Sequence, residues 1–138
     1  MNARGYNTKQ MGDACEMLVA AELTLAGTPA LRVPGLWPDY DVIAQPPDRG
    51  PQRVSVKSRT PGRRNRALGF DPDTCDWLAV VLFEEGTRRI FVLPSDIAEA
   101  HSTRPLKAKK RRSCALRFSR LRRELSRYED NFALSREP

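Results

Sequence analysis

An α/β domain with a central mixed β-sheet flanked by helices is what three patterns in this chain predict together. A helix-period apolar stripe opens the sequence, strand-like runs fill its middle, and a second helix-period stripe closes it. The 138 residues suffice for one domain with a real core. No repeat divides 1–138.

Thr8 to Gly27 reads as the first helix. Met11, Ala14, Cys15, Leu18 and Leu25 mark its stripe, Val19, Leu23 and Ala26 widen it, and Gly27 stops it. Glu16 falls on the line through Val19, Ala20 and Leu23. An acid on that buried side costs free energy unless it is paired or coordinated, whereas Glu22 falls elsewhere and reads as solvated. Ala30 to Val33 predicts a short strand ended by Pro34-Gly35. Tyr40 to Gln45 and Arg53 to Ser58 predict two more strands, joined through the turn-rich Pro46 to Pro51 as a hairpin. A basic loop carries Arg59, Arg63, Arg64 and Arg66. Trp77 to Phe83 is continuously apolar, the mark of a strand covered on both faces. Arg89 to Leu93 pairs with it across Glu84 to Thr87, and a short helix runs from Pro94 to Ala100. The last helix is predicted from Ser113 to about Leu134, with Phe118, Leu121, Leu125, Tyr128 and Phe132 facing the sheet. Trp37 and Trp77 read as packing residues.

The net charge of +7 is uneven. Eleven Lys or Arg against the single acid Glu124 make Arg104 to Arg127 a local +10, including Lys107, Lys109, Lys110, Arg111 and Arg112, so the remainder sums to −3. A cationic segment attracts polyanions over distances set by salt screening, and nucleic acid is the first candidate partner. No apolar run reaches the roughly 18 to 20 residues of a membrane span, and the first dozen residues lack a signal-peptide pattern. The three cysteines are isolated and lack zinc-site spacing, so they read as reduced thiols of a cytoplasmic protein. A lone histidine, His101, speaks against His-metal and Cys/His or Ser/His hydrolases, and no phosphate-binding glycine loop is present.

The chemistry gathers elsewhere. Ser55 and Lys57 point to one side of a strand because side chains alternate, and the hairpin brings Asp41 beside them. With Glu16, this gives two carboxylates and an ammonium, a set suited to a divalent cation and a phosphodiester. Asp39 shares the strand face of Asp41 and is the alternative ligand. Taken singly, each residue also has an ordinary reading: Asp41 paired to an arginine, Lys57 solvated, Glu16 at a surface rim.

In order, the helical acid in "GDACEMLVAAELTLAG", "PDYDVIA" at Pro38 to Ala44 and "VSVK" at Val54 to Lys57 resemble the PD-(D/E)XK nuclease superfamily, and above all its Holliday-junction-resolvase-like and small homing-endonuclease-like members. "DWLAVVLFEEGTRRIFVLPSDI" is similar to their later strands and "YEDNF" to a final helix, so the resemblance spans most of Gly12 to Phe132. It implies a restriction-endonuclease-like fold and a metal-dependent DNA endonuclease, acting on branched or damaged DNA. It further implies Mg²⁺ or Mn²⁺ as cofactor, and cutting two strands needs two sites, so a homodimer is the expected assembly. Asp41 would be the main metal ligand and Glu16 would complete the shell. Lys57 would orient or deprotonate the attacking water. Arg59, Arg63, Arg64, Arg66 and the Lys107 to Arg112 cluster would hold the DNA backbone. Ser55 departs from the pattern, standing where most members have Asp or Glu; the Val56 carbonyl and water would substitute in the metal shell. That departure motivates two other readings, a catalytically lapsed DNA-binding module and a regulatory protein that binds protein or RNA.

Overall fold

The structure, a computed structural model, describes residues 5–104 and 113–138. Asn7 starts the first helix, α1 (Thr8–Leu25), through a reciprocal cap. Its side chain accepts from the Gln10 N–H at 2.8 Å while Gln10 Oε1 accepts from the Asn7 N–H at 3.0 Å. Met11, Cys15, Val19, Ala20 and Leu23 form the buried face. Leu25, expected on the stripe, is exposed because the chain leaves the helix there; Gly27 takes φ +99°, a conformation that suits glycine.

Strands β1 (Ala30–Arg32), β2 (Val42–Ala44), β3 (Gln52–Arg59), β5 (Trp77–Glu84) and β6 (Thr87–Pro94) form one sheet in the order β1-β2-β3-β5-β6. Only β3 and β5 run parallel, so the sheet is mixed as expected. Alternate residues of β5 enter different cores. Trp77, Ala79 and Val81 join α1 with Val42, Val54 and Val92. Leu78, Val80 and Leu82 join a second cluster with Phe91, Leu93, Phe118, Leu121, Leu125 and Tyr128. The apolar run at 77–83 is thus a strand covered on both faces.

That second core is roofed by a two-stranded ribbon the sequence reading did not anticipate, β4 (Ala67–Phe70) paired antiparallel with β7 (Cys114–Arg117). A short helix, α2 (Ser95–Ala100), packs beside it. The long final helix expected from Ser113 to Leu134 is corrected. Its first residues pair as β7, α3 covers only Phe118–Arg123, and a 3-10 turn follows at Ser126–Tyr128. The cause is tertiary: the backbone of the tail bonds to the edge of β6, with Asp130 N–H on the Ile90 carbonyl at 2.8 Å. Asn131 Nδ2 donates to the Val92 carbonyl, and Glu129 clasps Arg89 with two bonds of 2.9 and 3.0 Å. The stripe residues are nonetheless buried, four in the second core and Phe132 in the first. No helix among the described residues is long and apolar enough to cross a membrane.

Candidate active site

Asp41 lies just before β2, where three strands share its groups. Its N–H donates to the Val54 carbonyl of β3 at 3.0 Å, and its carbonyl accepts from Val33 N–H, next to β1, at 3.0 Å. Its side chain then takes a backbone donor from β3: Val56 N–H to Asp41 Oδ2, 2.8 Å. A carboxylate fills the place of a ladder carbonyl here, which fixes the side chain against the strand that carries Ser55 and Lys57. A charge-assisted bond of this kind is among the stronger ones in a protein. Asp39, the alternative, stands outside β2 in a left-handed conformation (φ +80°).

Val54 and Val56 pack toward α1, so Ser55 and Lys57 project from the other face of the sheet, as the alternation predicts. Ser55 is 4% exposed, and among the described residues its hydroxyl has no hydrogen bond. Beside it the Cys75 thiol is pushed up to about 11, by burial first and against a hydrogen bond from the Ser55 backbone. Lys57 is half-buried, with no hydrogen-bond or ion-pair partner among the described residues. Arg59, two residues on and on the same face, is also half-buried. Among the described residues it bonds to the Ser58 carbonyl at 2.8 Å, and burial lowers its pKa. Two neighbouring cations of one strand face therefore form no ion pair among the described residues, an arrangement that favours a ligand phosphate over a structural ion pair.

Glu16 is on the α1 side of the sheet. Arg32 of β1 donates to Glu16 Oε1 at 2.8 Å and to Asp13 Oδ1 at 2.6 Å. The bond to Glu16 is the largest cause of Arg32's raised pKa. Sequence reasoning missed Arg32; the available signal was an arginine facing a helix whose inner side carries an acid. The structure thus joins Asp41 to Val56 directly. It attaches Glu16 to Arg32, whose neighbour Val33 donates to the Asp41 backbone, and it sets Ser55 and Lys57 on the far face from Glu16. Among the described residues no three His, Cys, Asp or Glu side chains gather as a metal-binding group. The open oxygen of Asp41 still suits a hard divalent cation. Asp41 Oδ1 and Glu16 Oε2 carry no hydrogen bond among the described residues, and Mg²⁺ needs only one or two carboxylates besides water and phosphate.

Arg63, Arg64 and Arg66 are exposed on a loop closed by paired Gly62–Asn65 backbone bonds of 3.1 Å. Together with Arg117 and Arg122, Arg66 lines a cleft of about 380 Å³, and its carbonyl accepts from Phe118 N–H at 2.9 Å. Arg122 is committed to Glu84 and Arg127 covers the Tyr128 ring, so these two hold the fold together. Lys107, Lys109, Lys110, Arg111 and Arg112 lie outside the described residues. The three cysteines are buried and form no disulfide among the described residues. His101 bonds its own helix, to the Ile97 carbonyl. Trp77 is a packing residue, whereas Trp37 is half exposed, against expectation.

No protein-family model matches the chain, and no curated protein matches it in sequence. Solved structures do match in shape. A bacterial homing endonuclease, I-Ssp6803I, superposes with a TM-score of 0.57 at 15% identity, over 77% of this chain and 84% of that one. Hjc, a Holliday junction resolvase from the archaeal hyperthermophile Archaeoglobus fulgidus, has a TM-score of 0.48 at 18% identity, over 75% of this chain and 88% of that one. The chain has the restriction-endonuclease-like fold that the PD-(D/E)XK resemblance implied.

Proposed function

We propose that this protein is a Mg²⁺- or Mn²⁺-dependent DNA endonuclease, with Asp41, Lys57 and Glu16 as its working residues. The observation that carries this reading is Asp41 clamped to Val56 N–H of the strand that carries Lys57 and Arg59, two cations with no ion pair among the described residues. Asp41 would hold the ion, with the Val56 carbonyl and water completing its shell and Glu16, on the α1 side, acting through water. When bound, such an ion stabilises charge on the scissile phosphate and acidifies the attacking water. Lys57 orients that water and offsets the charge of the transition state. Arg59 holds a phosphate oxygen, and Arg63, Arg64 and Arg66 grip the backbone without reading sequence. Arg32 keeps the Glu16 carboxylate aimed and limits its charge. Branched or damaged DNA is the substrate class we favour, and a homodimer would supply one site for each strand.

Ser55 favours a second reading, a DNA-binding module whose catalysis has lapsed: a buried neutral hydroxyl replaces the usual acid. Cleavage of labelled linear, nicked and four-way-junction DNA with Mg²⁺ or Mn²⁺ separates the two. Metal-dependent products lost in Asp41→Asn support the enzyme. Tight binding without products, equal in both proteins, supports the module.

A further inference from the structure

The loop between β1 and Asp41 presents two large apolar side chains to solvent. Leu36 is 100% exposed and Trp37 50% exposed, in a chain whose other tryptophan is 2% exposed. The loop is held in shape. Trp37 N–H donates to the Pro34 carbonyl at 2.8 Å, Tyr40 N–H donates to the Pro38 carbonyl at 3.0 Å, and the Trp37 ring packs edge-on against Tyr40 at 6.2 Å. Asp39 takes φ +80° to make the turn back into Asp41. Strain of that kind in a non-glycine residue is kept where a structure needs a particular loop shape.

Resting on the nuclease reading above, we infer that Leu36 and Trp37 form a wedge that stacks on an unpaired or unstacked DNA base and so selects branched, gapped or damaged substrates. Four observations converge. The indole is oriented by its edge-on contact with Tyr40 and is half exposed, so it is available to stack on a base. Leu36 gains nothing from the core and has the character of the apolar residues that pry base steps apart. The loop leads directly into Asp41, so a base held there belongs to the nucleotide chain whose phosphate reaches Lys57 and Arg59. Arg59 on β3 and the exposed Arg63, Arg64 and Arg66 that follow it suit a polyanion.

Trp77 is buried, so a change in tryptophan emission on binding reports chiefly on Trp37. The test titrates full-length Asp41→Asn protein, without metal, with intact duplex, gapped duplex and four-way-junction DNA. Gapped and junction DNA should quench the emission and intact duplex should leave it nearly unchanged. Adding Trp37→Ala should remove the quenching and weaken gapped-DNA binding about tenfold, with less than about a twofold change for intact duplex. Trp37→Phe and Leu36→Ala guard against a folding defect: Phe should retain most of the affinity and Leu36→Ala should lose part of it. Affinities of the Trp37→Ala protein unchanged from its Asp41→Asn parent for all three DNAs overturn the wedge, as does a loss of self-association in Trp37→Ala with DNA binding intact, which would assign the patch to a second copy. Binding is read without metal, so a failed wedge leaves the cleavage question open, and a failed nuclease leaves the stacking measurement valid.

Discussion

Replacing Asp41 by Ala removes two things at once, and the structure says how to separate them. The first is the acceptor for Val56 N–H, a 2.8 Å bond at a half-buried position. Leaving that donor unmatched costs about 1–3 kcal/mol. At this chain length 1 kcal/mol corresponds to roughly 3–5 °C in Tm. Asp41→Ala should therefore melt about 3–15 °C below wild type and unfold at a lower urea concentration with an unchanged m-value. The second loss is the negative charge. Asp41→Asn removes it but keeps an oxygen acceptor of the same reach, so its stability should fall by less than about 1 kcal/mol. Thermal and urea unfolding of the three proteins side by side test the account. An Asp41→Ala protein as stable as wild type would refute the clamp, and so would an Asp41→Asn protein as unstable as Asp41→Ala.

Other outcomes follow from the same geometry. Arg59→Gln should lower the slope of log affinity against log salt for duplex DNA by about 0.9 if that guanidinium meets one phosphate; an unchanged slope removes it from the interface. Glu129 sits in a two-bond pair with Arg89, which holds its carboxyl below the ordinary value of 4.5. A depressed carboxylate stabilises the fold above its unfolded pKa, and the gain is lost as pH falls through the folded pKa. Glu129→Gln should therefore cost about 1 kcal/mol near neutrality, the pair being partly solvent-screened. The difference from wild type should vanish at pH values well below 4.5. A constant difference across pH would contradict this. Cys15, Cys75 and Cys114 are buried, and burial raises the thiols of Cys15 and Cys75. Native protein should react slowly with a thiol reagent and denatured protein should release three equivalents quickly.

The parts of the fold legible in the sequence were those set by local periodicity. The alternation around Ser55 and Lys57, the two-faced run at 77–83 and the Gly27 stop all follow from side-chain geometry within a few residues. The β4–β7 ribbon was hidden because its partners are far apart in the chain. Cys114 to Arg117 also lies beside an apolar stripe that fits a helix equally well. Asp130 and Asn131 break that stripe by bonding to β6, and no local preference announces a contact of that range. At the site, residue types and strand face were readable, but the partners were not. That Asp41 spends one oxygen on Val56 N–H, that Arg32 engages Glu16, and that Trp37 stands in solvent depend on how β1, β2 and β3 meet.

The most direct test of the central claim is the single-turnover cleavage rate on four-way-junction and nicked DNA in saturating Mg²⁺ or Mn²⁺, wild type against Lys57→Met. The account predicts products from wild type, a loss of about a hundredfold or more in the variant, and junction binding within about threefold of wild type, since one backbone cation among several is removed. No product from wild type with either metal, or equal rates in the two proteins, would contradict it.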